Sequence, residues 1–390
     1  MSIKPFNIKS ILKFEEPWCK AMGYFNPYLD PFDHHMTPGI PAFDGPAYKK
    51  YPSHNFVYDK LWIAQTQGLK CGNLSDFQES AGLVTFPIFI KPRWGHLSAS
   101  SKNCFKISSA SELEKYLLYK DMIWSEFIDG TEGMTDFIIL KGNIVHQVTY
   151  VYSDTQQGFS EEWKLISPRS EPPQNIIDWV KDHMRGFTGV VNVQHRKNKI
   201  IEVSLRLARG GAYIVSARSP ALLQNISNVV DKGFWDFSLQ NDLDFEPYYT
   251  FKCFTNLPIV YLFPQHVLDF IVRSQASHPF YEYYFEPVGK KGMVFLQFMH
   301  DELEGGMRIK KRIETLFILA QLAMYILLVS TIVVLFSRWN FKYYYVAIVV
   351  AVLLTRFLNP MVANYSLYKG QKQQIFGGGP SNNEQQDDSL

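Results

Sequence analysis

A chain of 390 residues can hold two or three domains, and its 15% aromatic content supports a substantial core. The formal net charge of +2 argues against a general nucleic-acid binder, which needs a strong basic excess. Four cysteines, Cys19, Cys71, Cys104 and Cys253, stand far apart without CxxC or Cys/His ligand spacing, as in a reduced, cytosol-facing protein rather than a zinc module.

The opening residues lack the basic and apolar pattern of a signal peptide, so no cleaved leader is expected. Residues 27–46, PYLDPFDHHMTPGIPAFDGP, are broken by five prolines, and residues 1–54 read as an extended arm packed by its aromatics. His34, His35, Asp30 and Asp33 have metal-ligand chemistry, but adjacent histidines rarely meet at one ion without a third fixed ligand. Tyr58 to Gly68 has helical spacing and a glycine stop. From Phe86 to Ser101 an apolar strand delivers Lys91, Pro92 ends it, and a Gly/Ser-containing loop follows whose N–H groups can cradle phosphate. Ser108 to Leu118 has the Ser/Glu start of a helix, and Ile123 to Val145 reads as strand, polar turn, strand. The polar, proline-punctuated stretch from Ser153 to Pro173 reads as a mobile segment in which Lys164 and Arg169 can reach an anion. Ile176 to Arg185 is helical, one or two helices follow Gly211 with Arg218 as an anion candidate, and Tyr248 to Met299 alternates like strands.

Between Gly189 and Gly211, two β-branched runs flank a polar turn, as in a hairpin. Alternation puts Asn192 and Gln194 on one side of the first strand, and Glu202, Ser204 and Arg206 on one side of the second. Val191, Val193, Ile201 and Val203 then face a core. Bringing the two polar sets together requires Gln194 to pair with Glu202 and Asn192 with Ser204, leaving a three-residue loop from Lys197 to Lys199. An amide oxygen, a carboxylate and a hydroxyl on one face are hard ligands suited to Mg²⁺, and Arg206 adds an anion-binding fork. Spacing alone fits an ordinary solvated hairpin equally well.

The pattern N-x-Q, then E-x-S-x-R, resembles the closing strands of the ATP-grasp superfamily, most closely its carbamoyl-phosphate-synthetase-like, carboxylate–amine ligase branch. The resemblance covers roughly residues 55–300. It implies an α+β fold of two lobes gripping ATP, with a small lobe over 55–122 and a large lobe over 123–307. It also implies roles. Lys60 and Lys91 contact phosphates, Glu126, Phe127 and Ile128 line the adenine pocket, and Glu132 accepts from the ribose. Gln194, Glu202 and Ser204 hold Mg²⁺ or Mn²⁺, while Arg206 and Lys91 act on the reacting groups. The sequence departs from the family at Ser204, where Asn is usual, and in a phosphate loop that keeps only Gly95. The family commonly carries an α/β domain before the lobes, so substrate recognition here is expected to differ or to come from a protein partner.

Thr315 to Ser337 is 23 residues without a charge, enough to cross a hydrocarbon core of about 30 Å. Tyr343 to Thr355 is shorter and meets Arg356, so it spans only if Tyr343 to Tyr345 lie in the headgroup belt. Together residues 308–366 read as a transmembrane hairpin, followed by a polar, disordered tail over 367–390. Arg308, Lys310, Lys311 and Arg312 before the first span place both termini and the ATP-grasp lobes in the cytosol.

The leading expectation is a membrane-anchored, ATP-dependent ligase joining a small-molecule carboxylate to an amine or thiol through an acyl phosphate. The alternative is a catalytically degenerate ATP-grasp domain serving a membrane assembly as a nucleotide-binding or structural subunit. A transporter is disfavoured, because Arg356 is the one charged group within the spans.

Overall fold

The structure, a computed structural model, describes residues 37, 39–41, 43–77, 84–97, 103–154, 156–157, 160–208, 219–255, 270–271, 273–274, 278–280 and 293–338. The expected ligands at 30–35, Arg218, residues 256–269 of the expected strand region, the second apolar segment and the polar tail lie outside them. The chain divides into two compact units. The described residues of one come from Asp30–Asp154 and Lys164–Pro247, those of the other from Thr155–Trp163 and Tyr248–Gln371.

The first unit begins, within the expected extended arm, with helix α1 (Asp44–Lys50). Helix α2 (Lys60–Thr66) follows a 3₁₀ turn at Asn55–Tyr58. Asp59 separates the two by capping α2, its Oδ1 accepting from the N–H groups of Leu61 and Trp62 at 3.0 and 3.4 Å, which is why the helix opens later than the apolar spacing suggests. A small antiparallel sheet then forms from β1 (Cys71–Asn73), β2 (Ile88–Pro92), β3 (Phe105–Ile107) and β4 (Met122–Glu126), in the order β1-β4-β2-β3. Helix α3 (Ala110–Leu113) is a single turn capped by Ser109, with Glu112 reaching back to the N–H of Ser108 at 2.8 Å. The small sheet buries Ile88, Ile90, Ile107 and Trp124 with Leu74 and Leu113.

Residues 127–131 carry the chain from β4 into β5 (Glu132–Leu140), the start of a second antiparallel sheet. It continues through β6 (Asn143–Tyr152), β9 (Trp163–Ser167), β10 (Gly189–Arg196) and β11 (Lys199–Ser204), ordered β11-β10-β5-β6-β9. Lys141 and Gly142, both at positive φ, form the tight β5–β6 turn. Helix α4 (Gln174–His183) covers one face, burying Ile176, Trp179 and Val180 against Phe137, Val191, Val193 and Val203. Helix α5 (Pro220–Ser227), with Ser219 as its cap, runs into a π-helical turn.

The stretch from Ser153 to Pro173 is not the loop its polarity suggested: it contains β9 and, in the other unit, the short ribbon β7 (Gln156–Gln157) with β8 (Ser160–Glu161). The buried positions of β9 explain the error, since they carry Lys164 and Ser167 beside Ile166, and these polar residues dilute the apolar signal. In the second unit β12 (Tyr248–Thr255), β14 (Met293–His300) and β13 (His278–Phe280) pair antiparallel in that order. Helix α6 (Leu303–Arg338) packs Ile313 and Phe317 on Phe251, Phe295 and Phe298 of this sheet. It is the one helix, among the described residues, long and apolar enough to cross a membrane.

Candidate functional site

The β10–β11 hairpin pairs Gln194 with Glu202 and Asn192 with Ser204, the register that the alternation of polar residues requires. Toward the turn the ladder slips: His195 pairs with Ile200 and Arg196 with Lys199. Ile201 is therefore a bulged extra residue, and the loop is the two residues Lys197 and Asn198 rather than three, with Lys197 at φ 49°. Ile200, 2% exposed, takes the core position that uninterrupted alternation assigned to Ile201, which stays half-buried. The bulge also frees the Ile201 carbonyl, which accepts from Lys91 Nζ at 2.7 Å.

Lys60 opens α2, and its buried ammonium lies 3.4 Å from Glu202 Oε1. Asp59 beside it is clamped by Arg93, whose Nη2 donates to Oδ2 at 2.6 Å and whose Nε donates to Oδ1 at 3.0 Å. After β2 the backbone turns at Gly95, so close that a Cβ there would stand 3.4 Å from Glu202 Oε1 and 3.5 Å from Lys60 Cε. Two lysines, a bare stretch of loop and a carboxylate thus meet at one spot. Burial first, then the like charge of Lys60, pulls the Lys91 ammonium down to about 8, with Glu202 opposing.

Glu132 is held by two protein partners. Its Oε2 accepts from Arg196 Nη2 and Nε at 2.9 and 3.2 Å, and its Oε1 accepts from the Gln194 amide nitrogen. That contact leaves the Gln194 oxygen as the available ligand atom. Glu126, Phe127 and Ile128 are half-buried at the crossing between the two sheets. Glu126 is held by Lys70, its backbone N–H donating to the Lys70 carbonyl at 2.9 Å, while the Phe127 ring lies 4.1 Å beneath the Lys106 ammonium.

Arg206, just past β11, is engaged by α1. Its Nη2 donates to Asp44 Oδ2 at 2.7 Å and its Nη1 to the Leu207 carbonyl at 2.9 Å, whereas Nε is buried with no partner among the described residues. Desolvation opposes its charge, but the Asp44 carboxylate outweighs it and holds the guanidinium protonated above its ordinary range. Tyr58 Oη donates to Asp44 Oδ1 at 3.2 Å and accepts from the Leu205 N–H at 3.0 Å. Lys164 and Arg169 are elsewhere: Lys164 is buried 5.0 Å from the centre of the Tyr152 ring, and Arg169 pairs with Asp244 and Glu246.

Asp44 and Asp136 are the two residues that sequence reasoning missed. Asp136, fully buried on β5 opposite Asn192, accepts from Tyr150 Oη at 2.7 Å, Asn192 Nδ2 at 2.8 Å and the Ala208 N–H at 2.9 Å. Burial pushes its carboxyl up to about 6, against those hydrogen bonds. Its one sequence signal is a lone acid inside an apolar strand, which does not reveal partners more than fifty residues away.

Among the described residues no group of three His, Cys, Asp or Glu side chains converges as a metal site. The oxygen donors that would suit a magnesium ion are those of Gln194, Glu202 and Ser204, which the pairing places on one face with a single carboxylate.

No family model matches the sequence, and no curated protein matches it. Among solved structures, carboxyaminoimidazole ribonucleotide synthase from Aspergillus clavatus superimposes with a TM-score of 0.51 at 11% identity, over 69% of this chain and 80% of that one. N5-carboxyaminoimidazole ribonucleotide synthetase from Thermus thermophilus gives 0.46 at 12% identity, over 72% and 80%. L-amino acid ligase from Bacillus licheniformis gives 0.44 at 14%, over 66% and 69%. The likeness rests on the first of these, and what it establishes is the architecture: this chain shares the fold of that synthase, a mixed arrangement of helices and antiparallel sheets.

Proposed function

We propose that this protein is a membrane-anchored, ATP- and Mg²⁺-dependent ligase that joins a carboxylate to an amine or thiol through an acyl phosphate. The observation that carries the reading is the meeting of three separate segments: Lys60 at Glu202, Lys91 at the neighbouring Ile201 carbonyl, and the Gly95 backbone, which follows Lys91, beside Glu202. Phosphoryl transfer asks little covalent work of a protein and depends on charge neutralisation and position. Lys60 and Lys91 neutralise phosphate oxygens, the Gly95 turn lets backbone approach them, and Gln194, Glu202 and Ser204 hold the metal. ATP supplies the phosphoryl group that activates the acid. Arg206 faces the substrate anion, and Glu126, Phe127 and Ile128 form the adenine edge. Glu132 orients Gln194 and, with one acceptor position of Oε1 still open, accepts from the ribose. The complex of the Aspergillus clavatus synthase with ATP supports the nucleotide.

Helix α6 anchors the chain. Its apolar residues Leu319, Leu322, Ile326 and Leu327 are exposed, and Arg308, Lys311 and Arg312 precede them on a cytosolic side. One observation favours the alternative, a degenerate subunit: Lys60 and Glu202 already neutralise each other.

Calorimetric titration of MgATP into the full chain in detergent, together with an assay of ADP release when carboxylates and amines are added, separates the two. Magnesium-dependent binding and ADP release that are lost in Glu202→Ala and Lys91→Ala support the ligase. A folded chain that binds no MgATP, or binds it without ADP release, would be the degenerate subunit.

A further inference from the structure

Arg206 is held in an incomplete way. The Nε and Nη2 hydrogens of a guanidinium lie side by side and suit the two oxygens of one carboxylate or phosphate. Asp44 takes only Nη2, at 2.7 Å, and Nε is left buried beside it with no partner among the described residues. A buried donor without an acceptor is costly, so the fork favours an oxyanion that fills both positions. Asp44 has a second partner to retain on leaving Arg206, because its other oxygen accepts from Tyr58 Oη at 3.2 Å. The same helix touches the phosphate loop: the Tyr48 ring of α1 stacks on His96, next to Gly95, with centroids 3.7 Å apart and planes 18° from parallel.

We propose that Asp44 is a built-in competitor for the substrate's oxyanion, a carboxylate or acyl phosphate that binds Arg206 through Nε and Nη2, displaces Asp44 and loosens α1 from its seat beside the phosphate loop. The inference rests on the reading of Arg206 as the residue facing the substrate anion. Site filling is then coupled to the segment carrying Tyr48, so an empty anion site and a braced loop go together.

The test uses the full chain in detergent and acetylphosphonate, a non-hydrolysable acyl phosphate mimic. Removing the competing charge in Asp44→Asn is expected to tighten acetylphosphonate binding at least about tenfold, in line with the loss of one charge-assisted hydrogen bond. Asp44→Glu, which keeps the charge, is expected to stay near the wild type. In the wild type, hydrogen exchange at residues 44–50 is expected to speed up when acetylphosphonate is bound, a readout that needs no variant. If Asp44→Asn binds no better, or residues 44–50 exchange no faster, the competition is refuted even where Arg206→Ala abolishes binding and the role of Arg206 stands. If Arg206→Ala binds as well as the wild type, the anion reading itself fails.

Discussion

Asp136 shows how one buried side chain sets a pH dependence. Its carboxyl, pushed up to about 6, binds a proton more tightly in the folded chain than in the unfolded one, where the ordinary value is about 3.9. Between those values the folded state holds more protons, so stability falls as pH rises through this window and levels off above it. A shift of about two units corresponds to on the order of 3 kcal/mol at 1.36 kcal/mol per unit. Asp136→Asn cannot ionise, so urea unfolding in detergent at pH 4 and pH 7 is expected to show a smaller loss in the variant by about that amount. An equal pH slope in both proteins would mean that Asp136 is ionised throughout. Lys91 makes the converse case for binding. Phosphate needs its ammonium, so MgATP affinity is expected to decline as pH rises through about 8 in the wild type and to hold to higher pH in Lys91→Arg, by calorimetry at pH 7 and 9.

At the scale of elements, the docking of α6 turns on a glycine. A Cβ on Gly306 would fall 2.1 Å from the Phe251 ring, which is fixed in the core between β12 and β14. Helix propensity favours alanine over glycine by about 1 kcal/mol, and overpacking costs about 1–3 kcal/mol. The second term wins, because Phe251 stacks on Phe298 at 5.1 Å and has nowhere to move. Gly306→Ala is expected to lower the thermal midpoint, and a rise would mean that the helix stands off the sheet. The hairpin shows what sequence makes legible and what it hides. Polar alternation suffices to find the pairing of Gln194 with Glu202, because each strand there keeps its two-residue period. The bulge at Ile201 breaks that period, so the turn length, the core role of Ile200 and the anchor for Lys91 could not be counted from spacing. Asp44 as the partner of Arg206, and Asn192 and Ala208 as partners of Asp136, were hidden for another reason: they come from distant segments, and an acid in a helix or strand carries no mark of the cation or amide that folding brings to it.

The whole molecule depends on where α6 stops being a soluble helix. Up to Gln321 it belongs to the protein: Phe317 stacks on Phe295 at 4.0 Å, and Gln321, fully buried, donates to Thr255 Oγ1 at 3.2 Å. Beyond it apolar side chains are exposed, with Ile326 and Leu327 each 68% accessible and Val334 55%. From Leu322 to Arg338 the helix is about 25 Å long at 1.5 Å per residue, short of a hydrocarbon core of about 30 Å. The missing length comes from the preceding turn and a half, where Leu316, Ile318 and Leu319 are also exposed while Phe317 and Gln321 face the sheet. Under the proposed anchoring, the β12–β14 unit is therefore seated at the bilayer surface rather than hung from a flexible linker. Two truncations follow from this division. A chain ending after Gln321 keeps the docked half and is expected to fold and leave the membrane fraction in mild detergent. A chain ending before Leu303 strips the cover from Phe251, Phe295 and Phe298 and is expected to aggregate, because that face then exposes a contiguous aromatic patch. Fractionation and light scattering compare them. If the shorter chain is the better behaved, the packing of Ile313 and Phe317 on the sheet does not stabilise the unit, and α6 is a tether after all.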